Sequence, residues 1–393
     1  MKDENNIEVS ETKKTGADRT ASAQSTNPLK KYRKQHIIAF SVLSVFLTLA
    51  VLISSAIAYA GGLLGKITQK DSYVSMSDAE IQELLSEELI SESDVSASDI
   101  MTTEEQEALD KYVSEVFVTE EGLYKQDGVT NILLLGIDTR SDGSMKGRSD
   151  VMMIVSINEN LEQISIVSIM RDSYVNIPGC APNKINAAYV FGGADLAVKT
   201  VERAFGVDID KYVVVNFYGF MDIINALGGI ELDIEQGELK QLNYYVEEIN
   251  KKQGLPHDYE KLYNYGKNTH VTGKQAMGYV RNRYYGNGDY MRTQRQRNVI
   301  MSVIKKLDSA GVSQLINVVE ITADNTRTDY TSSEILSMAS KASEYLKYDI
   351  VQDRLPRDGT FTGGMGHGMW IIQMNFEKNR EILREIIYGE SAA

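Results

Sequence analysis

Residues 131–137 read Asn-Ile-Leu-Leu-Leu-Gly-Ile, 151–157 read Val-Met-Met-Ile-Val-Ser-Ile, and 163–169 read Gln-Ile-Ser-Ile-Val-Ser-Ile. The first is a continuous apolar run, as expected for a strand covered on both faces. The other two flank Asn158-Glu159-Asn160, a hairpin signal. Only eleven residues, 139–149, separate the first strand from Asp150. A parallel crossover needs roughly a dozen or more, so the first two strands should run antiparallel. Pairing about a turn near residue 160 puts Asp150 beside Met170 and Arg171. Asp138, Asp150 and Arg171 are therefore expected at one rim of the sheet.

Downstream, strands alternate with helices. Ala194–Phe205 reads as a helix closed by Gly206, and Tyr212–Phe217 as a strand. Phe220–Leu227 reads as a short helix closed by Gly228-Gly229, and Ile230–Ile234 as an alternating strand. Further helices are expected over Gly237–Gln253, Asp289–Leu307, Ser332–Leu346 and Asn375–Tyr388. This order indicates an α/β fold, a mixed αβα sandwich with a central mixed, largely antiparallel sheet covered by helices.

Upstream, residues 1–36 are a polar, aperiodic tail expected to be disordered and cytoplasmic. Ile37–Gly65 carries no charge, and its apolar part, Ile37–Ala60, spans 24 residues. At roughly 1.5 Å per residue it exceeds a hydrocarbon layer of roughly 30 Å. Residues 37–65 are thus expected to be a single transmembrane signal-anchor helix. Lys30, Lys31, Arg33 and Lys34 would hold its N-terminal side inside, leaving the rest of this cell-membrane protein extracellular. Residues 66–128 form an acidic segment, a helical stalk or accessory module. Residues 71–121 hold sixteen acids against one base, Lys111. Capping boxes are expected at Ser77–Glu80 and Thr103–Gln106, the second followed by Leu109, Tyr112, Val113, Val116 and Phe117 on one face.

The net charge of −14 is set by that segment. The large domain is close to neutral and gives no reason to expect nucleic acid as a partner. A single cysteine, Cys180, excludes an intramolecular disulfide framework. Four scattered histidines without ligand spacing argue against a His-based metal centre.

Two convergent carboxylates, Asp138 and Asp150, repel unless something positive lies between them. Mg²⁺ answers this where a phosphate is the third party; a structural Asp–Arg network with Arg148, Arg171 and Asp172 is the other reading. Arg281, Arg283, Arg292, Arg295 and Arg297 put five arginines in seventeen residues. On an extended segment Arg281 and Arg283 would point the same way. Asp289 is a plausible N-cap, and Arg292, Arg295, Gln296 and Val299 share a helix face. Arginine suits bidentate phosphate recognition, and a solvated face or surface ion pairs are the alternatives. Lys184, after a Pro-containing loop, would join as a mobile point charge.

Asn131–Arg140, Gly147-Arg148-Ser149-Asp150, Ser168–Asp172 and Lys184–Tyr189, then Phe217–Phe220, Leu227–Ile230, Tyr279–Arg283 and Asp289–Gln296, follow one another in that order. This set resembles the LytR-CpsA-Psr family of bacterial cell-envelope phosphotransferases over residues 129–306, with 307–393 a looser C-terminal helical extension. The resemblance implies transfer of a glycopolymer (teichoic acid, capsule or another wall polysaccharide) from a polyprenyl-pyrophosphate carrier to peptidoglycan through a phosphodiester. It implies Asp138, Asp150 and Arg171 as catalytic residues, with Asp138 and Asp150 binding Mg²⁺ or Mn²⁺. Arg148, Arg171, Lys184, Arg281, Arg283, Arg292 and Gln296 would hold the pyrophosphate, and Asp289 would orient the nearby arginines. Arg140 is a weaker candidate. The lipid needs an apolar slot, expected between the sheet and the helices Ala194–Phe205 and Phe220–Leu227. Met170 stands where the family usually has Pro and is expected to loosen Arg171. This departure motivates the alternative, a non-catalytic polyprenyl-phosphate-binding scaffold. The long polar stretch 236–272 is expected to bear on acceptor choice.

Overall fold

The structure is a computed structural model that describes residues 76–89, 100–139, 143–286, 288–308, 321 and 325–389, apart from a few positions between 332 and 346. The tail, the expected membrane anchor and Arg140 lie outside the described residues. No helix among those described is long and apolar enough to cross a membrane.

Two helices come first, α1 (Asp78–Leu89) and α2 (Thr103–Glu115). Next are β1 (Val129–Asp138), β2 (Arg148–Asn158) and β3 (Gln163–Ile169), then the short β4 (Tyr174–Val175) and β5 (Asn183–Lys184). They are followed by α3 (Ala187–Phe205), β6 (Lys211–Asn216), α4 (Phe217–Ala226), β7 (Ile230–Ile234) and α5 (Leu239–Lys252). The chain continues through β8 (Gly266–Val271), α6 (Gly273–Val280), α7 (Gly288–Asp308) and β9 (Thr326–Thr328). It ends in β10 (Asp349–Leu355), β11 (Phe361–Gly366), β12 (Met369–Met374) and α8 (Phe376–Tyr388).

A six-stranded sheet, ordered β10-β3-β2-β1-β6-β9, forms the centre. The pairs β1–β2, β2–β3 and β6–β9 are antiparallel, and β1–β6 and β3–β10 are parallel. The sheet is mixed and its hairpin is where the sequence puts it. The register is one residue from that expected, with Met153 facing Ser168 and Ile154 facing Val167. Continued outward, this register sets Asp150 opposite Arg171 itself.

Strand residues alternate between faces, and both faces are covered. Leu134, Met153 and Val155 pack under α4, α5, α6 and α7. Leu133, Leu135, Met152 and Ile154 pack under α3 and α8, joined by Leu109 and Val113 of α2. The second helix of the acidic segment therefore belongs to the body of the domain, because those two apolar side chains need a core. Its capping box is Thr102 with Glu105, one residue before the expected position. Ser77 with Glu80 forms the other, as the sequence indicates.

The C-terminal region holds more than helices. It supplies both edge strands, β9 and β10, and the hairpin β11–β12. Met170 depends on this arrangement: its N–H donates to the Leu355 carbonyl at 2.8 Å, a bond proline cannot make. Met170 is buried, and the expected loosening of Arg171 is not seen.

Candidate functional site

The site lies at one end of the sheet, where β1 stops at Asp138 and β2 begins at Arg148. Asp138 and Arg148 are register partners, after an irregularity at Gly136/Ile137. Gly147 permits this closure, since a Cβ there would stand 2.0 Å from the Asp138 carbonyl oxygen. Arg171 follows β3 directly and reaches back across the rim. Its Nη1 donates to Asp150 Oδ1 at 2.9 Å, and its Nε lies 3.5 Å from Asp172 Oδ2 and 4.0 Å from Asp289 Oδ2.

Helix α7 brings the second half. It starts at Gly288, so Asp289 sits in its first turn rather than capping it. Asp289 Oδ1 meets Arg292 Nη1 at 3.2 Å and Arg283 Nε at 3.7 Å, and Arg283 Nη2 stands 4.0 Å from Asp150 Oδ2. Arg281 is not on an extended segment. It ends α6 in helical conformation, 3.5 Å from Glu248 Oε1, with its guanidinium over the rings of Tyr245 and Phe217. Lys184 is not mobile. Held on β5, it is buried and its Nζ lies 3.1 Å from Asp172 Oδ1.

The arginine cluster divides in two. Arg281, Arg283 and Arg292 face the aspartates. Arg295 is buried on Glu238 at 2.6 Å and on the carbonyls of Asn282 and Tyr285. Arg297 donates to Ser168 and Gln294. Both are internal ties of α7, and the arginine-rich sequence carries no mark separating them from the other three. Asp172, Asn186 (3.5 Å from Asp150 Oδ1) and Tyr245 also join the site. Asp172 was legible as the neighbour of Arg171; the other two carry no local signal.

Electrostatics follow from burial and partners. Burial raises Asp138, and the nearby Asp150 raises it further against Arg281, Lys252 and Arg148. Burial opposes ionisation of Asp150 too, but Arg171, Arg292, Arg283 and Arg148 hold its carboxyl far below the usual range. Asp172 is likewise held low by Arg171 and Lys184 despite its burial. Asp289 is raised, first by burial and then by Asp172. Burial and Arg171 bring Arg292 down to about 10, still charged at neutral pH. Six cations (Arg148, Arg171, Lys184, Arg281, Arg283 and Arg292) thus surround four aspartates, with Glu248 a fifth carboxyl beside Arg281, so positive charge is in excess. Arg292 Nε is buried and makes no hydrogen bond among the described residues.

An apolar slot lies beside this cluster, lined by Leu134, Gly136, Val151, Phe217, Phe220, Ile223, Met277, Val280, Gln296 and Val299. It lies between the sheet and α4, α6 and α7. The part expected of Phe220–Leu227 holds. The part expected of Ala194–Phe205 does not, because α3 packs on the opposite face with Leu133 and Ile154. Gln296 lines the slot, and Arg281 caps it by stacking on Phe217.

The sequence model of the LytR_cpsA_psr family matches residues 89–386. The chain belongs to this family. Among its relatives is the polyisoprenyl-teichoic acid–peptidoglycan teichoic acid transferase TagU of Enterococcus faecalis, 35% identical over 242 residues, or 60% of this chain and 73% of that protein. The fold is shared with TagT bound to LI-WTA, at a TM-score of 0.52 and 25% identity over 66% of this chain and 91% of that one. It is shared also with TagV of Bacillus subtilis, at 0.50 and 27%, covering 67% and 98%. The LytR_cpsA_psr match begins at residue 89, so it leaves out nearly all of α1. That helix nevertheless touches the site: Lys146 Nζ meets Glu80 Oε1 at 2.9 Å, and Arg148 Nη1 donates to the Leu84 carbonyl at 3.1 Å.

Proposed function

We propose that this chain is a membrane-anchored extracellular phosphotransferase. It moves a glycopolymer, of which teichoic acid is the type named for its relatives, from a polyprenyl-pyrophosphate carrier to peptidoglycan. One observation carries the reading: a cation-rich cluster lies beside an apolar slot, with Arg281 of the cluster stacked on Phe217 of the slot lining. A pyrophosphate diester brings two negative charges to a cluster with positive charge in excess.

In the reaction, a sugar hydroxyl of the acceptor forms a new P–O bond to the phosphorus that bears the glycan, its proton passing to water. The bridging P–O bond breaks, and polyprenyl phosphate leaves with the added charge. Arg171, Arg283 and Arg292 are already held in place by Asp150 and Asp289, so they stabilise that charge without reorganising. The slot keeps the lipid fixed while the phosphates are aligned.

Asp138 and Asp150 are the residues that would hold Mg²⁺ or Mn²⁺. Burial and then repulsion from Asp150 raise Asp138, and a divalent cation would relieve that repulsion. Two carboxylates would leave the ion's remaining ligands to phosphate and water. When bound, the metal would withdraw charge from the phosphate oxygens. Residues 37–65 would serve as the single-pass anchor, with the N-terminus cytoplasmic.

The test is transfer by the purified full chain from a polyprenyl-pyrophosphate-linked saccharide to a glycan oligomer in the presence of Mg²⁺. Arg171→Ala should lower turnover by roughly a hundredfold or more with the circular dichroism spectrum unchanged. Lipid binding without transfer would point instead to the scaffold reading.

A further inference from the structure

Nine of the 22 tyrosines fall between residues 244 and 290. Among the described residues, six tyrosines are exposed, and five of them, Tyr244, Tyr259, Tyr263, Tyr265 and Tyr284, belong to this stretch. Tyr284 is 78% exposed and Tyr263 71%, and apolar ring area is seldom left in water in such density without a partner.

The rings are held in place by their surroundings. The segment after α5 folds back along that helix and is clamped to it at three levels. Asn243 exchanges two hydrogen bonds with the backbone of Leu262, Glu247 pairs with Lys261, and Asn250 Nδ2 donates to the Tyr259 carbonyl. Tyr244 and Tyr263 therefore flank the first clamp. Tyr244 packs edge-on against Tyr245, with centroids 5.5 Å apart. Tyr245 carries Arg281 on its face at 4.6 Å, and Tyr284 neighbours Tyr245. The path from slot to surface is thus continuous: Phe217, Arg281, Tyr245, Tyr244.

Charge identifies the occupant. Residues 236–272 hold five acids and five bases. A surface for an anionic lipid leaflet would carry a marked excess of Lys and Arg; with Glu238 buried on Arg295, this one sets five bases against four acids and presents flat rings with hydroxyl tips. Such rings stack on the C–H faces of pyranoses while the hydroxyls bond sugar hydroxyls. We propose that the outer face of α5 and its clamped loop, with Tyr244, Tyr263 and Tyr284, bind the acceptor glycan strand and deliver its hydroxyl to the Arg281 side of the headgroup site. This rests on the transferase reading and gives it an acceptor surface.

The test uses the full chain held in lipid nanodiscs. Tyr244→Ala combined with Tyr284→Ala should weaken binding of soluble, uncrosslinked peptidoglycan glycan oligomers about tenfold, the loss expected for two stacking rings. Binding of a polyprenyl pyrophosphate should stay as in the parent chain. Absence of glycan binding by the parent, or undiminished binding by the variant, overturns the assignment. A nitroxide at position 263, in a Tyr263→Cys, Cys180→Ser chain, should respond to a water-borne relaxation agent. Response to a lipid-borne one would make this a membrane surface and overturn the assignment equally. Failure of the parent to bind polyprenyl pyrophosphate would strike the transferase reading separately, with glycan binding still measured on its own.

Discussion

At Asp138 the proposed function works against stability. Its carboxyl is buried and stands near Asp150, so its ionised form is disfavoured and its protonated form is favoured by folding. The contribution is therefore greatest at low pH and is lost as pH rises through the raised folded-state value. At neutral pH without metal, Asp138→Asn should raise the melting temperature by roughly 2–4 °C, the shift expected for about 1 kcal/mol in a domain of this size. Transfer should be lost in the same variant. A lower melting temperature would show that Asp138 is a structural member of the arginine network. The place of Asp289 came from the family resemblance, its local reading being an N-cap, whereas Asp150 and Arg171 were legible as site residues because the hairpin fixes their positions locally. The division of the arginines was not. Arg292 and Arg295 are three residues apart on one helix, yet Arg292 meets Asp289 while Arg295 meets Glu238. The difference is made by Glu238, which another part of the chain brings to Arg295.

At the scale of elements, α1 lies against the rim and engages Arg148 through the Leu84 carbonyl, with Leu85 packed on the core beneath. A substitution that lifts α1 should release Arg148 to the headgroup. Leu85→Glu puts a charge into that apolar contact, so it should tighten binding of a polyprenyl pyrophosphate, as measured by titration calorimetry. Weaker binding would instead make the Leu84 carbonyl part of the ligand cradle. Helices with strong local signals were readable to within a few residues. The Asn375 side chain caps α8, and Gly206 closes α3 in the left-handed conformation. The start of α3 was not readable: the chain kinks at Gly192 and Gly193, and the element begins at Ala187. Strands β9 and β10 escaped because three to seven residues at a sheet edge have little pattern of their own. They are strands only because β6 and β3 offer unpaired edges.

For the whole molecule, topology relative to the membrane is the property most easily tested. Cys180 is the sole cysteine and is exposed. A membrane-impermeant maleimide should therefore label it on intact cells; labelling only after lysis would place the domain inside and defeat the proposed reaction. The alternation of strands and helices, the hairpin and the gathering of Asp138, Asp150 and Arg171 could all be read from the order of residues. Each of these depends on spacing, periodicity and short closures along the chain. The tertiary structure alone decided which arginines serve the site, that Lys184 is buried, and which helices roof the slot. Those outcomes depend on which sheet face a distant helix covers, and no interaction between neighbours in sequence encodes that choice.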